Sequence, residues 1–139
     1  MMAAKARLMG DARSLASILA AADPAAVKAL GRAIAPWDEG KSGAARYGIV
    51  VRGKMLKFEQ NEDVRRLLLS TGDRQLTKAA SRDAVWGVGV TAAAARAGTA
   101  WRGQNSLGLA LMDVRARLRR HPVEFPQRGT RCLGRRAGG

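Results

Sequence analysis

Residues 47–58 have the sequence YGIVVRGKMLKF. The larger apolar side chains in this stretch recur at helical steps, at Tyr47, Val50, Val51, Met55 and Phe58. The run Ile49-Val50-Val51 alone is compatible with a strand, but the wider period is typical of a helix with one buried face. The stretch therefore predicts a helix and favours a mainly helical fold.

Similar periods extend on both sides of this stretch. Upstream, Leu8, Leu15, Ile18 and Leu19 predict one helix, which Asp23-Pro24 ends before a second helix with Val27, Leu30 and Ile34 on one face. Downstream, Asn61 is placed to cap a helix whose buried side is Leu67, Leu68 and Leu69. Asn105 or Ser106 opens a last helix that buries Leu107, Leu111, Val114 and Leu118.

The segment between these last two helices has no helical period. Residues 75–79 predict a short strand, residues 84–91 a strand or an extended loop, and residues 91–102 a loop. The predicted fold class is therefore mainly α with an α+β character, a compact helical domain with short strand or loop segments. We expect one domain over residues 1–120 and a basic, disordered tail over residues 121–139.

Composition narrows the range of functions. The 139 residues suit a single domain, and 47% of them are hydrophobic, more than a disordered chain contains. Cys132 and His121 are the only residues of their types, which argues against a disulfide framework and a Cys/His zinc site. No apolar run approaches the roughly 18 residues of a membrane span. We therefore expect a cytoplasmic protein without metal, cofactor or membrane partner.

The net charge of +14 suggests nucleic acid as a partner, but its distribution weakens this interpretation. Residues 115–139 carry eight Arg and one Glu, a net +7, which is half of the total. An arginine-rich surface with a solvated tail explains this pattern at least as well. A small ligand that bears phosphate would also suit a basic domain.

Three clusters contain residues that could carry chemistry: Lys5 with Arg7, residues 83–89 (DAVWGVG) and residues 101–108 (WRGQNSLG). Each has an ordinary structural explanation as well, respectively as solvated helix charges, a tryptophan core anchor and helix caps. Gly87-Val88-Gly89 is too short for a dinucleotide fingerprint, and no nucleophile motif is present.

Taken in order, these segments resemble the NADAR family (NAD- and ADP-ribose-associated), which includes the YbiA- and RibX-like N-glycosidases. The resemblance covers about residues 1–120. It is carried by residues 2–11 (MAAKARLMGD), Ile18-Leu19 through Asp23-Pro24 to Arg32, residues 57–61 (KFEQN) with 67–72 (LLLSTG), residues 83–89, and residues 103–108 (GQNSLG) with Leu111-Met112 and Val114-Arg115.

The resemblance implies hydrolysis of the N-glycosidic bond between a ribose and a nucleobase-like group. It implies two substrate classes: phosphoribosylated aminopyrimidine intermediates of riboflavin synthesis, or ADP-ribosyl groups. Such cleavage builds positive charge on the sugar, which a carboxylate stabilises, while an aromatic wall holds the base. On this basis Asp83 is the candidate catalytic carboxylate, and the candidate substrate-binding residues are Trp86 as the wall, Lys5, Gly87, Asn105, Arg46 and Arg102.

The chain also departs from the family pattern at two positions to which activity is linked. The family has a Glu seven positions before the Lys matched by Lys5, a position that would precede Met1, and a leading β-rich segment there as well. We therefore expect that the domain lacks its N-terminal segment. The family has a Trp at the position of Ser42. Two alternative functions thus stay open: a non-catalytic module that binds ADP-ribose or another nucleotide, and a basic nucleic-acid-associated protein.

Overall fold

A computed structural model describes residues 1–121, in which seven helices are joined by loops and no β-strand is present. The helices are α1 Met2–Met9, α2 Ala12–Ala20, α3 Pro24–Arg32, α4 Glu39–Gln60, α5 Glu62–Ser70, α6 Ala92–Arg96 and α7 Ser106–Arg120. The prediction of a mainly helical domain is confirmed. Its strand component is not confirmed within the described residues.

The first three helices pack on one another around a small core of their own. Ala6, Ile18 and Ile34 are buried at its centre. The sequence prediction of one helix over residues 8–22 is wrong, because Gly10 ends α1 in the left-handed conformation at φ 74°. Asp11 then accepts a hydrogen bond from the Ser14 amide at 2.9 Å and starts α2 as its N-cap.

The larger core lies where α4, the longest helix, packs against α5 and α7. Its buried members are Val51, Phe58, Leu68, Ala110, Val114 and Leu118. The predicted helices over residues 47–58 and 107–118 are confirmed. The prediction for the three leucines of α5 is correct only in part, because Leu68 is buried whereas Leu67 remains 68% exposed.

The loop between α5 and α7 contains the segments that were predicted as strands. Its backbone groups bond to the start of α7 and to one another, so no ladder forms. The amides of Asn105, Ser106 and Leu107 donate to the carbonyls of Gly87, Val85 and Trp86 at 3.0, 3.1 and 3.1 Å. These carbonyls satisfy donors that a helix start leaves without intrahelical partners. The short helix α6 also interrupts the region predicted as a loop.

Helix α1 also contacts α4 and so joins the two cores, leaving a cleft between these helices. Within residues 1–121, no helix is both long and apolar enough to cross a membrane. No group of three His, Cys, Asp or Glu side chains in the same range could hold a metal ion. Apart from His121, the predicted basic tail lies outside the described residues.

Candidate active site

The cleft between α1 and α4 has a volume of about 490 Å³ and is the candidate site. A volume of this size is typical of pockets for small organic ligands. Its walls combine cationic, aromatic and aliphatic side chains from α1, α4 and the α5–α7 loop. They are Met1, Met2, Lys5, Leu8, Trp37, Glu39, Ser42, Arg46, Ile49, Val50, Lys54, Lys78, Trp86 and Leu107.

Trp86 reaches the cleft because the loop around it is bound to the start of α7. Its carbonyl accepts the Leu107 amide at 3.1 Å, and Leu107 lines the same cleft. Close approach of the loop to α7 also requires Gly108, where an added Cβ would overlap the Leu76 carbonyl oxygen and the Asn105 side chain. Residues 83–89 and residues 103–108 therefore lie together beside the cleft.

Asn105 holds the first part of the α5–α7 loop, around Leu76 and Lys78, against the start of α7. Only 2% exposed, its side chain accepts a hydrogen bond from the Lys78 amide at 3.1 Å and donates one to the Leu76 carbonyl at 2.8 Å. The backbone of Asn105 adopts φ 52°, and its side chain does not cap α7. Asn105 was predicted to bind substrate, and the structure places it behind Lys78 rather than in the cleft wall.

Gly87 has a comparable position in the packed loop. A Cβ at Gly87 would stand 2.8 Å from the Asp83 carbonyl oxygen and 3.0 Å from that of Lys78. A side chain there would therefore push the turn that precedes Trp86 away from the Lys78 backbone. Gly87 is buried and shapes the cleft from behind.

The cleft carries four cationic side chains, and two of them, Lys5 and Arg46, were predicted from the sequence to bind substrate. Lys5 donates to the Gly31 carbonyl at 3.4 Å, and its ammonium lies 4.6 Å from the centroid of the Trp37 ring. Arg46 forms a 3.4 Å salt bridge with Glu39. An anionic ligand would therefore meet positive charge on both helical walls.

The other two cations of the cleft, Lys54 and Lys78, were not predicted from the sequence. Burial, with a smaller contribution from the positive charge of Lys57, lowers the pKa of Lys54. In the described part of the chain no carboxylate pairs with the Lys54 ammonium. Since a half-buried, uncompensated ammonium is unfavourable, an anion bound beside Lys54 would be stabilised.

Asp83 lies one side chain behind the cleft wall rather than in it. One carboxylate oxygen accepts the backbone amides of Val85 and Trp86 at 3.2 and 2.8 Å, and the other is bonded to the Lys78 ammonium. These interactions, chiefly the one with Lys78, lower the pKa of Asp83. Asp83 thus fixes both the turn that carries Trp86 and the lysine that lines the cleft.

Arg102 does not line the cleft, although it was predicted from the sequence to bind substrate. Its backbone amide donates to the Val88 carbonyl at 3.0 Å, and the residue is exposed. A smaller pocket of about 270 Å³ adjoins the cleft and shares Arg46 and Trp86 with it. Tyr47, Gln104 and Ser106 provide polar groups there.

Comparison with known proteins identifies relatives over most of the chain. A model of the NADAR domain family matches residues 1–119. The chain is 36% identical over 117 residues to N-glycosidase R617 of Acanthamoeba polyphaga mimivirus, covering 83% of this chain and 69% of that protein.

Two further relatives show similar identities. Protein irg-1 of Caenorhabditis elegans is 35% identical over 118 residues, which are 82% of this chain and 56% of that protein. N-glycosidase Npun_R5314 of Nostoc punctiforme is 34% identical over 114 residues, which are 78% of this chain and 64% of that protein. The chain thus spans between 56% and 69% of the length of the three relatives.

Proposed function

This chain belongs to the NADAR domain family, and from that premise we propose that it hydrolyses the N-glycosidic bond of a ribosylated nucleobase. The observation that carries the proposal is the single cleft lined by Lys5, Arg46 and Trp86. The substrates we propose are phosphoribosylated aminopyrimidines or ADP-ribosyl groups, because both join a flat base, a ribose and phosphate.

Each part of such a substrate has a matching group in the cleft. The indole of Trp86 offers a flat apolar surface against which a base can stack, an interaction worth about 1–3 kcal/mol. The ammonium groups of Lys5, Lys54 and Lys78 and the guanidinium of Arg46 offer charge-assisted hydrogen bonds to phosphate oxygens. Ser42 presents a small polar side chain to the same cleft.

We propose that Asp83 is required for turnover as a positioning residue. Both of its carboxylate oxygens are engaged, and its hydrogen bonds hold Lys78 and the Trp86 turn in place. Gly87 and Asn105 are proposed to support the same wall from behind. The phosphate-binding role predicted for Arg102 stays a prediction, since the side chain does not line the cleft.

The test is cleavage of the C1′–N bond, measured by chromatography and mass spectrometry of the products. The purified chain is incubated with a phosphoribosylated aminopyrimidine and, separately, with an ADP-ribosylated oligonucleotide. From at least one substrate both products should appear in equal amounts: free base and ribose 5-phosphate from the aminopyrimidine, or free ADP-ribose and unmodified oligonucleotide from the other. Asp83→Ala should reduce the rate strongly, because it releases Lys78 as well as the turn. If the chain cleaves neither substrate, the proposed activity is refuted.

A second candidate function is favoured by the hydrogen bonding of Asp83. Its oxygens accept from Lys78 and from backbone amides, and the predicted catalytic carboxylate does not line the cleft. A module that binds ADP-ribose without cleaving it would need only the cations and Trp86. Calorimetry with ADP-ribose separates the two functions, because saturable binding with intact ligand recovered afterwards supports the binding module alone.

A further inference from the structure

Glu39 is the acidic side chain that lines the cleft, and among the described residues it is the sole Asp or Glu to do so. It is the first residue of α4. The preceding Asp38 accepts a hydrogen bond from the Lys41 amide at 2.9 Å and so fixes the helix start. This cap therefore fixes the backbone conformation at the start of α4, where Glu39 lies.

The carboxylate of Glu39 is oriented by two side chains of the same cleft. Its Oε2 accepts a hydrogen bond from the Trp37 indole Nε1–H at 2.9 Å, and its Oε1 accepts one from the Arg46 guanidinium at 3.4 Å. A carboxylate oxygen can accept two hydrogen bonds, so each oxygen of Glu39 keeps capacity for a water molecule.

Solvent reaches this carboxylate, since the Glu39 side chain is 72% exposed. Hydrolysis needs water at the reacting centre, and the Glu39 carboxylate can present one to a ligand held in the cleft. Asp83 differs in position, because it does not line the cleft and its oxygens accept from Lys78 and two backbone amides on the far side of the wall. Of the two carboxylates, only Glu39 combines access to the cleft with free hydrogen-bonding capacity.

We propose that Glu39 is the catalytic carboxylate of the cleft, an inference that rests on the glycosidase function proposed above. A water molecule held by Glu39 attacks C1′ of the ribose while the C1′–N bond breaks. The bonding electron pair leaves with the base, which takes up one proton from solvent, and the proton lost by the water passes to Glu39 and then to solvent. One water is consumed, and the negative carboxylate offsets the positive charge that develops on the sugar.

Trp37 is assigned a positioning role in this step. Its indole N–H holds one oxygen of Glu39, and its ring lies beneath the Lys5 ammonium. Trp37→Phe keeps an aromatic ring but removes the donor. We expect this variant to lower kcat more than it raises KM.

The decisive variant is Glu39→Gln, which keeps the size of the side chain and an oxygen for the Trp37 N–H but cannot take up a proton. General-base catalysis contributes about 10²- to 10⁴-fold, so kcat should fall at least about 100-fold while the ligand affinity measured by calorimetry stays within a few-fold. The matched control is Glu62→Gln, on α5 beside Arg66, which should retain full activity.

A second variant guards against misfolding of the first. Glu39→Ala should regain measurable turnover when formate is added, because a small carboxylate can occupy the vacated space and accept the proton. Circular dichroism of both Glu39 variants should match that of the unmodified chain. The rescue distinguishes a proton acceptor from a side chain that only supports the helix start.

The possible failures are distinguishable. If the unmodified chain releases base and Glu39→Gln keeps kcat within about threefold, the role of Glu39 is overturned while the glycosidase function stands. If Glu39→Gln weakens binding as strongly as it lowers the rate, Glu39 is a binding residue and the inference fails in the same way. If the unmodified chain cleaves neither substrate class, both proposals fall together.

Discussion

Replacement of Asn105 by Ala should destabilise the domain by about 3–5 kcal/mol. The change removes a hydrogen bond from the Lys78 amide at 3.1 Å and one to the Leu76 carbonyl at 2.8 Å. A fully buried backbone group left without its partner costs about 1–3 kcal/mol, and each of these two part-buried groups should cost about 1–2 kcal/mol. A further ~1 kcal/mol arises because Ala tolerates the left-handed backbone at φ 52° less readily than Asn.

Two companion variants separate these contributions. Asn105→Gly loses the same two hydrogen bonds but accepts the left-handed conformation, so it should be more stable than Asn105→Ala by roughly 1 kcal/mol. Asn105→Asp keeps an oxygen for the Lys78 amide and sets a carboxylate against the Leu76 carbonyl. Urea unfolding, followed by circular dichroism and tryptophan fluorescence, gives the free energy of unfolding and the m-value for each variant.

The same variants should weaken ligand binding in the cleft, because Asn105 holds the backbone of Lys78. A loss of less than about 1 kcal/mol in Asn105→Ala, with an unchanged m-value, would refute the argument. It would mean that the Asn105 side chain does not organise the loop against α7.

Three further outcomes follow from the structure. Lys54→Met should weaken binding of ribose 5-phosphate about 10- to 100-fold in calorimetry, as expected for one charge-assisted hydrogen bond, whereas an equal loss in Lys57→Met would contradict a local role. Gly108→Ala should lower the free energy of unfolding by at least about 2 kcal/mol, because its Cβ would overlap a backbone carbonyl; an unchanged urea midpoint would contradict that packing. Lys78 is the main cause of the lowered pKa of Asp83. The stability that the Asp83 carboxylate gives to the fold is therefore complete above its unfolded-state pKa of about 4, and it is lost as pH falls through the folded-state pKa. The difference in Tm between the unmodified chain and Asp83→Asn should therefore shrink below pH 4, and a constant difference would argue against the ion pair.

The helices were predictable from sequence where caps and apolar period agree. At α3, Asp23 and Pro24 mark the start, and the Asp23 side chain does accept the Ala26 amide at 2.8 Å. The break between α1 and α2 was missed although Gly10-Asp11 is a stop followed by a cap. The apolar spacing across the break resembles one continuous face, so periodicity outweighed the local signal.

The strand predicted over residues 75–79 and the strand alternative for residues 84–91 are not observed, for a different reason. Short apolar runs with glycine predict an extended backbone, and they do not show which groups the backbone will bond. Here the carbonyls of Val85, Trp86 and Gly87 bond to the start of α7, and one backbone hydrogen bond, from the Val88 amide to the Lys78 carbonyl, joins the two segments without forming a ladder. That choice depends on contacts distant in sequence, which a local pattern does not record.

The cleft was predictable only in part. Trp86 and Lys5 were selected on family-like motifs and Arg46 as a cation that could hold phosphate, and all three line one cavity. Glu39 and Lys54 were missed, because a charged side chain on a helix is usually solvated and nothing in its spacing marks a ligand site. Their position follows from the approach of α1 to α4, which was not predictable from either helix alone.

The carbonyls that cover the start of α7 have a consequence for anion recognition. Many nucleotide-binding folds hold phosphate with free amides at a helix start. Here the amides of residues 105–107 already have protein acceptors. Phosphate in this cleft would therefore be held by long, flexible cationic side chains, which lose rotamer freedom on binding and are screened by salt. Affinity for a phosphorylated ligand should accordingly depend more steeply on ionic strength than in folds that use backbone amides.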